Sequence, residues 1–480
     1  MRHREGRGRE LIEKAPPTNG AGHLPSRRLL AYALIELPVG GAMNVTSLFL
    51  GFHYASLGIS LTQIGAILMI ARLLDVLIDP AVGLLSDRTR SAFGRRKTWI
   101  IAGAPIFVLA GWKLFIPPAD VTAVYFSLWL VLFWLGFSMI NIPYYAWGAE
   151  LSDDYHERTR ITTWRTIFGT LGAFAFLAIP AMRQQFFGVG GQPGAVLSMV
   201  AGITLVTVPA FVALAAINVP DRSVGGASIP ILHGVAVMSR NGPFLRLLAA
   251  FTLVGLGPVL QGAMFPFFMQ HVVGDTTSGP KILLVYFPTV ACGIVLWGAL
   301  ARRIDKHRAW MVGMFMMVCV TGSYMLVGSG DLVMMVGILA ASGIASGALS
   351  ALPASMKADV VDLDAIESGE DRAGLFFAAW SLAVKFIAAV GQGLAFTTLA
   401  WIGFHAKGDN GPNEIFGLRV FYSMGPMLLY LAAVLIVWKY PITSARHAQL
   451  RAELATRGIR SEVPGQGIAM EVSPLDTSTR

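Results

Sequence analysis

Apolar blocks of about twenty residues, separated by short polar connections, run through almost the whole of this 480-residue sequence. About twenty residues of helix, at a rise of about 1.5 Å each, cross the hydrocarbon core of a bilayer. Lipid offers backbone N–H and C=O groups no partner, so blocks of that length must be helices. The spacing predicts spans at roughly 29–52, 62–85, 98–117, 121–147, 162–182, 195–218, 243–270, 281–300, 309–328, 331–356, 373–402 and 416–439. The expected fold is therefore an all-α membrane protein of 12 transmembrane helices. Apolar residues make up 55% and charged ones 14%, against about 25% charged in soluble domains. A soluble globule could not cover its surface from that supply.

The net charge of +9 is placed as a membrane protein places it. The connection 86–97 carries Arg88, Arg90, Arg95, Arg96 and Lys97, and 302–308 carries Arg302, Arg303, Lys306 and Arg308. The connections 53–61, 118–120 and 329–331 carry no Lys or Arg. Positive charge collects on the cytoplasmic side, so both termini are expected there, in a cell (inner) membrane. No basic helix with interleaved aromatics is present, which argues against a nucleic-acid partner. The expected organisation is a disordered cytoplasmic tail at 1–28, a six-helix bundle at 29–218 and a cytoplasmic linker at 219–242. A second six-helix bundle follows at 243–440, then a cytoplasmic tail at 441–480. Within the linker, Ile229 to Met238 has the pattern of an amphipathic surface helix.

Cys292 and Cys319 lie inside apolar blocks and read as small buried hydrophobes, with no disulfide or metal-ligand spacing. No HExxH or GxSxG pattern occurs, His233, His271 and His405 stand alone, and His156 and His307 sit in charged connections. An enzyme is not expected, nor a cofactor, and the chain is read as a monomer.

The two sets of six spans echo each other. Gly83-Leu-Leu-Ser-Asp-Arg-Thr-Arg after the second span has a counterpart in Gly298-Ala-Leu-Ala-Arg-Arg-Ile-Asp after the eighth. Glu150-Leu-Ser-Asp-Asp after the fourth resembles Asp359-Val-Val-Asp after the tenth. Parallel halves of six spans resemble the organisation of major-facilitator transporters, in which one half rocks against the other.

An ionisable group at membrane depth costs about 2.5–3.5 kcal/mol on insertion scales, so each one demands a reason. The second span holds Arg72, Asp75 and Asp79. A spacing of four puts both carboxylates on one helix face, about 6 Å apart along the axis. Two acids that close repel unless a cation or shared proton sits between them. The bland alternative is a structural cluster neutralised by Arg72 and Lys385. Lys385 lies about 18 Å from the expected cytoplasmic end of its span, too deep to snorkel freely, so a carboxylate partner is the natural solution. Glu36 and Arg165 are further buried-charge candidates. Asn141 and Tyr145 could project into a bundle cavity and suit a sugar-like solute, whereas Trp147 reads as an interfacial anchor. Charges of the connections around 86–97, 302–308 and 359–372 are expected to meet as a cytoplasmic gate: Asp87, Arg88, Arg95, Arg96, Glu150, Arg158, Asp359, Asp362 and Arg372. Isolated surface pairs are worth about 0–1 kcal/mol, so only a network would lock a state.

Three stretches carry a family resemblance: Ala71-Arg-Leu-Leu-Asp-Val-Leu-Ile-Asp-Pro-Ala-Val-Gly-Leu-Leu-Ser-Asp-Arg-Thr-Arg-Ser-Ala-Phe-Gly-Arg-Arg96, Glu157-Arg-Thr-Arg-Ile-Thr-Thr-Trp-Arg165, and Asp359-Val-Val-Asp-Leu-Asp…Gly369-Glu-Asp-Arg-Ala-Gly-Leu-Phe377. The chain resembles the glycoside–pentoside–hexuronide:cation symporters, the melibiose-permease branch of the major facilitators, from about 29 to 440. The resemblance implies a cation site on Asp75 and Asp79 with the hydroxyl of Ser138, coupled to Lys385; Arg72, from the charge reading above, is a further candidate charge partner. Its span-5 arginine matches Arg165, which joins Glu36, Asn141 and Tyr145 as the solute-binding candidates. Asn141 stands where sugar-binding members carry an acid, Glu36 lies one turn from its expected place, and Ile78 replaces a polar residue of sodium-using members. The expected activity is symport of a sugar or glycoside with Na+ or H+ by alternating access. The alternative is a transporter of the same fold for another solute, such as a lysolipid, an organic anion or a drug.

Overall fold

The computed structural model describes residues 24–441 apart from 92, 153, 188–192, 222–240, 276–277, 369–372, 407–408 and 439. Twelve long helical segments follow one another: α1 (Ser26–Leu57), α2 (Leu61–Arg88), α3 (Arg95–Phe115), α4 (Ala123–Glu150), α5 (Tyr155–Phe187), α6 (Pro193–Asn218), α7 (Gly242–Val273), α8 (Gly279–Ile304), α9 (Lys306–Leu326), α10 (Leu332–Ser368), α11 (Ala373–Trp401) and α12 (Pro412–Val437). Among the described residues, eleven of these are long and apolar enough to cross a membrane. The remaining one, α5, is long enough but carries Glu157, Arg158, Arg160 and Arg165 in its first turns.

Several boundaries differ from the sequence expectation. Leu24, assigned to the tail, is buried and donates its backbone N–H to Glu157 Oε1 at 3.0 Å, and α1 already begins at Ser26. The helical run of α1 breaks at Leu34–Ile35 and restarts at Glu36. Pro38 causes this: its ring crowds the carbonyl four residues back, that of Leu34. The tenth helix continues to Ser368, so the first part of the expected acidic loop 359–372 is helical. Ile229 to Met238 lies outside the described residues. Both cysteines are exposed on the protein surface rather than buried, because lipid-facing positions of a spanning helix are as apolar as core ones.

The contacts repeat with an offset of six helices. In the first half α3 packs on α4, α1 on α5, α2 on α4, α3 on α6 and α1 on α6. The second half has the matching pairs α9 with α10, α7 with α11, α8 with α10, α9 with α12 and α7 with α12. Between the halves the principal contacts are α2 with α11, α5 with α8 and α1 with α7. Small residues bring backbones together where these helices cross. A Cβ on Gly172 would lie 2.1 Å from the Leu37 carbonyl oxygen, and one on Gly347 would lie 2.4 Å from the Gly293 carbonyl carbon.

The halves meet through apolar groups at the end of the bundle opposite the chain termini. Phe52 packs on Phe267 with ring centroids 4.7 Å apart, and Phe267 meets Phe396 at 6.2 Å. A Cβ on Gly65 would touch the Gly393 carbonyl oxygen at 3.0 Å. At the terminal end the named ion pairs stay within each half. Arg95 and Arg96 both reach Glu150 at 2.7 Å, Arg96 reaches Asp87 at 2.5 Å, and Lys306 reaches Asp359 at 2.8 Å. The halves are thus sealed against each other at the far end.

Candidate functional site

The second helix delivers the two acids. Ser60 and Gln63 cap its start through a reciprocal box, and the helix runs unbroken through Pro80 to Arg88. Asp75, 3% exposed, and Asp79 point to one side, where α4 presents Ser138. The Ser138 hydroxyl lies 2.8 Å from Asp75 Oδ1 and 2.7 Å from Asp79 Oδ1. A serine has one hydrogen to give. The two carboxylates therefore share that hydrogen and crowd their negative charge about one point.

From the other half, α11 supplies Lys385. Its Nζ pairs with Asp79 Oδ2 and stands 3.5 Å from Asp75 Oδ2 and 3.4 Å from the Asp75 carbonyl oxygen. An ammonium thus sits at the mouth of a ring of oxygens, where a hard cation would otherwise find its ligands. This pair joins the halves at the edge of the α2–α11 contact. Arg72 lies within electrostatic reach of Asp75 and also has an aromatic neighbour. Its guanidinium stacks on Trp134 at 3.3 Å, and its Nε is buried without a hydrogen-bond partner.

Toward the termini from this group, Glu36, Tyr145 and Arg165 come together. Gly40 and Gly169 let α1 and α5 approach, and the Glu36 side chain fills the space beside Gly169. Tyr32 and Tyr144 exchange hydroxyl-to-carbonyl hydrogen bonds at 3.0 and 3.1 Å, which ties α1 to α4 and turns Tyr145 to the open side. The Tyr145 hydroxyl donates to Glu36 Oε1 at 3.4 Å, the Arg165 guanidinium lies 3.9 Å from the Tyr145 ring centroid, and Glu36 Oε2 has no partner. Asn141 lies one turn from Tyr145 on α4 and interacts with its hydroxyl. Glu36, Tyr145 and Arg165 border an inner chamber of about 410 Å³, with Asn44 and Phe287 in its wall; Asn141 touches it only through Tyr145.

Asn44 and Phe287 also border a second, outer chamber of about 370 Å³, which reaches Arg72, Gln261, Tyr286, Gln392 and Tyr422. The α7, α8, α11 and α12 residues of this wall were not anticipated. Apolar all around, their helices gave no periodicity to separate a cavity face from a lipid face. Trp147 is another correction: it is buried and donates its indole N–H to the Pro220 carbonyl at 2.8 Å, so it anchors the bundle interior rather than the membrane interface.

Of the expected gate residues, Asp87, Arg95, Arg96 and Glu150 form one network in the first half, and Asp359 pairs with Lys306 in the second. Arg158 donates to the Ser152 carbonyl at 2.7 Å, and Arg88 is exposed beside the 86–97 connection. For Asp362 only its place on α10 is described, and Arg372 lies outside the described residues.

Two six-helix repeats closing on a central cavity, with a charged group at their junction, define a major-facilitator membrane transporter rather than an enzyme. Residues 31–444 match the family described as MFS/sugar transport protein. The chain belongs to that family. It is 25% identical to the uncharacterized symporter sll1374 of Synechocystis sp., over 89% of this chain and 96% of that one. Identity is 23% to the putative glycoside/cation symporter YagG of Escherichia coli, over 88% and 94%. It is 24% to the sodium-dependent lysophosphatidylcholine symporter 1-B of Danio rerio, over 91% and 92%. Among solved structures, the nucleoside transporter NupG superposes with a TM-score of 0.62 at 13% identity, over 86% of this chain and 98% of that one. That likeness concerns the fold alone.

Proposed function

We propose that this protein is a secondary active transporter that couples the movement of a sugar or glycoside to Na+ or H+. The observation that carries the reading is the group Asp75, Asp79, Ser138 and Lys385. Two carboxylates and a hydroxyl converge on one point, and a lysine from the opposite half occupies its mouth. A cation entering this ring displaces the ammonium and removes a charge tie between the halves. Solute in the adjoining chamber then finds halves free to close on it, which makes the two ligands interdependent. The family match and the name of the Escherichia coli relative support a sugar or glycoside as the cargo. The basic connections at the terminal end support a cytoplasmic location for both termini, which puts the apolar seal on the outer side.

Proteoliposomes test this directly. Radiolabelled glycoside should accumulate when an inward Na+ or proton gradient is imposed, and should only equilibrate without one. Asp75→Asn should abolish the gradient-driven component while leaving passive exchange. Full concentrative uptake by that variant would remove Asp75 from the coupling site.

A further inference from the structure

The inner and outer chambers adjoin each other, with Asn44 and Phe287 in the wall of both. Along α1 the lining runs from Glu36 to Leu48, about 18 Å at helical rise, which is longer than a single sugar ring. The two parts differ in chemistry. The inner chamber offers charge and one unpaired carboxylate oxygen, through Glu36, Arg165 and Tyr145, while the Thr166 and Thr170 hydroxyls in its wall donate to carbonyls of their own helix at 2.9 Å.

In the outer chamber several of the polar groups bond one another within the wall. The Tyr286 hydroxyl donates to Ser346 at 2.9 Å, Tyr324 and Ser342 share a contact of 3.5 Å, and Gln261 donates to the Tyr422 carbonyl at 3.2 Å. Trp134 covers one face of the Arg72 guanidinium. The surface left for a guest is dominated by Leu177, Val259, Phe265, Leu283, Met317 and Leu339. A free sugar in that space would leave its hydroxyls unpaired, at a penalty for each.

We infer that the carried solute is an amphiphile. Its hydroxylated or charged head seats among Glu36, Tyr145 and Arg165, and an apolar tail, aryl or acyl, fills the outer chamber. This rests on the transport reading above and narrows it to a class of cargo. Two sources share the chemistry: a glycoside with an apolar aglycone, and a lysophospholipid.

The test uses the full-length protein in nanodiscs, with binding read by ligand-induced thermal stabilisation. Glucose is compared with octyl glucoside, and glycerophosphocholine with lysophosphatidylcholine. In at least one pair the tailed member should bind about tenfold or more tightly than its head alone. The pair in which this occurs identifies the source of the head. Leu339→Trp or Val259→Phe, which fill the outer chamber, should erase that advantage while leaving binding of the bare head in place. Two such variants guard against one that fails to fold. Equal binding of tailed and bare probes in both pairs overturns the inference, as does a tail advantage that survives both filling variants. Gradient-driven uptake of the bare sugar alone would do the same, yet would leave the symport reading standing. Tailed probes that bind in the chamber but never respond to a cation gradient would sink the coupling and spare the cavity assignment.

Discussion

Removing the Ser138 hydroxyl is the sharpest probe of the charged group. The oxygen stands 2.8 Å from one carboxylate and 2.7 Å from the other, and Ser138 is itself buried, so no bulk water replaces it without rearrangement. A hydrogen bond to a charged group contributes about 1.5–3 kcal/mol. At about 1.4 kcal/mol per factor of ten, its loss translates into roughly 10- to 100-fold. Ser138→Ala also leaves Lys385 as the nearest counter-charge, which strengthens the competitor while weakening the cation's own ligand set. Half-activation of solute uptake in proteoliposomes should therefore require about 10- to 100-fold more of the coupling cation. Solute exchange at saturating cation should change little. Ser138→Thr keeps the oxygen and should stay within about threefold of the parent. A Ser138→Ala variant whose cation activation curve overlays the parent, measured against both Na+ and pH, would refute the reasoning.

Two further outcomes follow from the geometry. Lys385→Ala leaves Asp75 and Asp79 facing each other without their counter-ion. With the Lys385 and Asp79 side chains 23% and 25% exposed, the penalty should fall at the low end for a broken buried pair, about 3 kcal/mol. It should appear as a lowered unfolding temperature in cation-free buffer that added Na+ or acid restores, and a deficit that neither restores would mark Lys385 as a packing residue. Gly347→Ala would set a methyl against the Gly293 carbonyl carbon at 2.4 Å. Forcing α8 from α10 should lower stability by about 1–3 kcal/mol, read by thermal unfolding, whereas an unchanged transition would mean the crossing is looser than described.

The apolar blocks made the helices legible because bilayer thickness fixes their length and lipid forbids any other backbone arrangement. Asp75, Asp79 and Lys385 were legible for a related reason: charge at membrane depth has to be explained, and a spacing of four selects a face. Arg72 followed the same rule, yet besides the nearby Asp75 it stacks on the Trp134 ring, a contact that depends on which α4 residue faces it. Helix rotation was the missing quantity. Gln261, Tyr286 and Tyr422 line the cavity, while Cys292 on α8 and Cys319 on α9 are exposed, and nothing in an apolar stretch distinguishes such positions. Trp147 was misread because an aromatic near a span end is as suited to a buried hydrogen bond as to an interface. The extension of α10 past Asp359 shows that polarity ends a span without ending a helix.

The sixfold offset in helix contacts has a practical corollary. Because each repeat satisfies most of its packing internally and meets the other along three helix pairs, the peptide link between Asp221 and Asn241 is not what holds the two together. Genes encoding the fragments on either side of that stretch, expressed side by side, should yield complementing polypeptides that reassemble in the bilayer. Each could then be labelled separately to follow their relative tilt during a transport cycle.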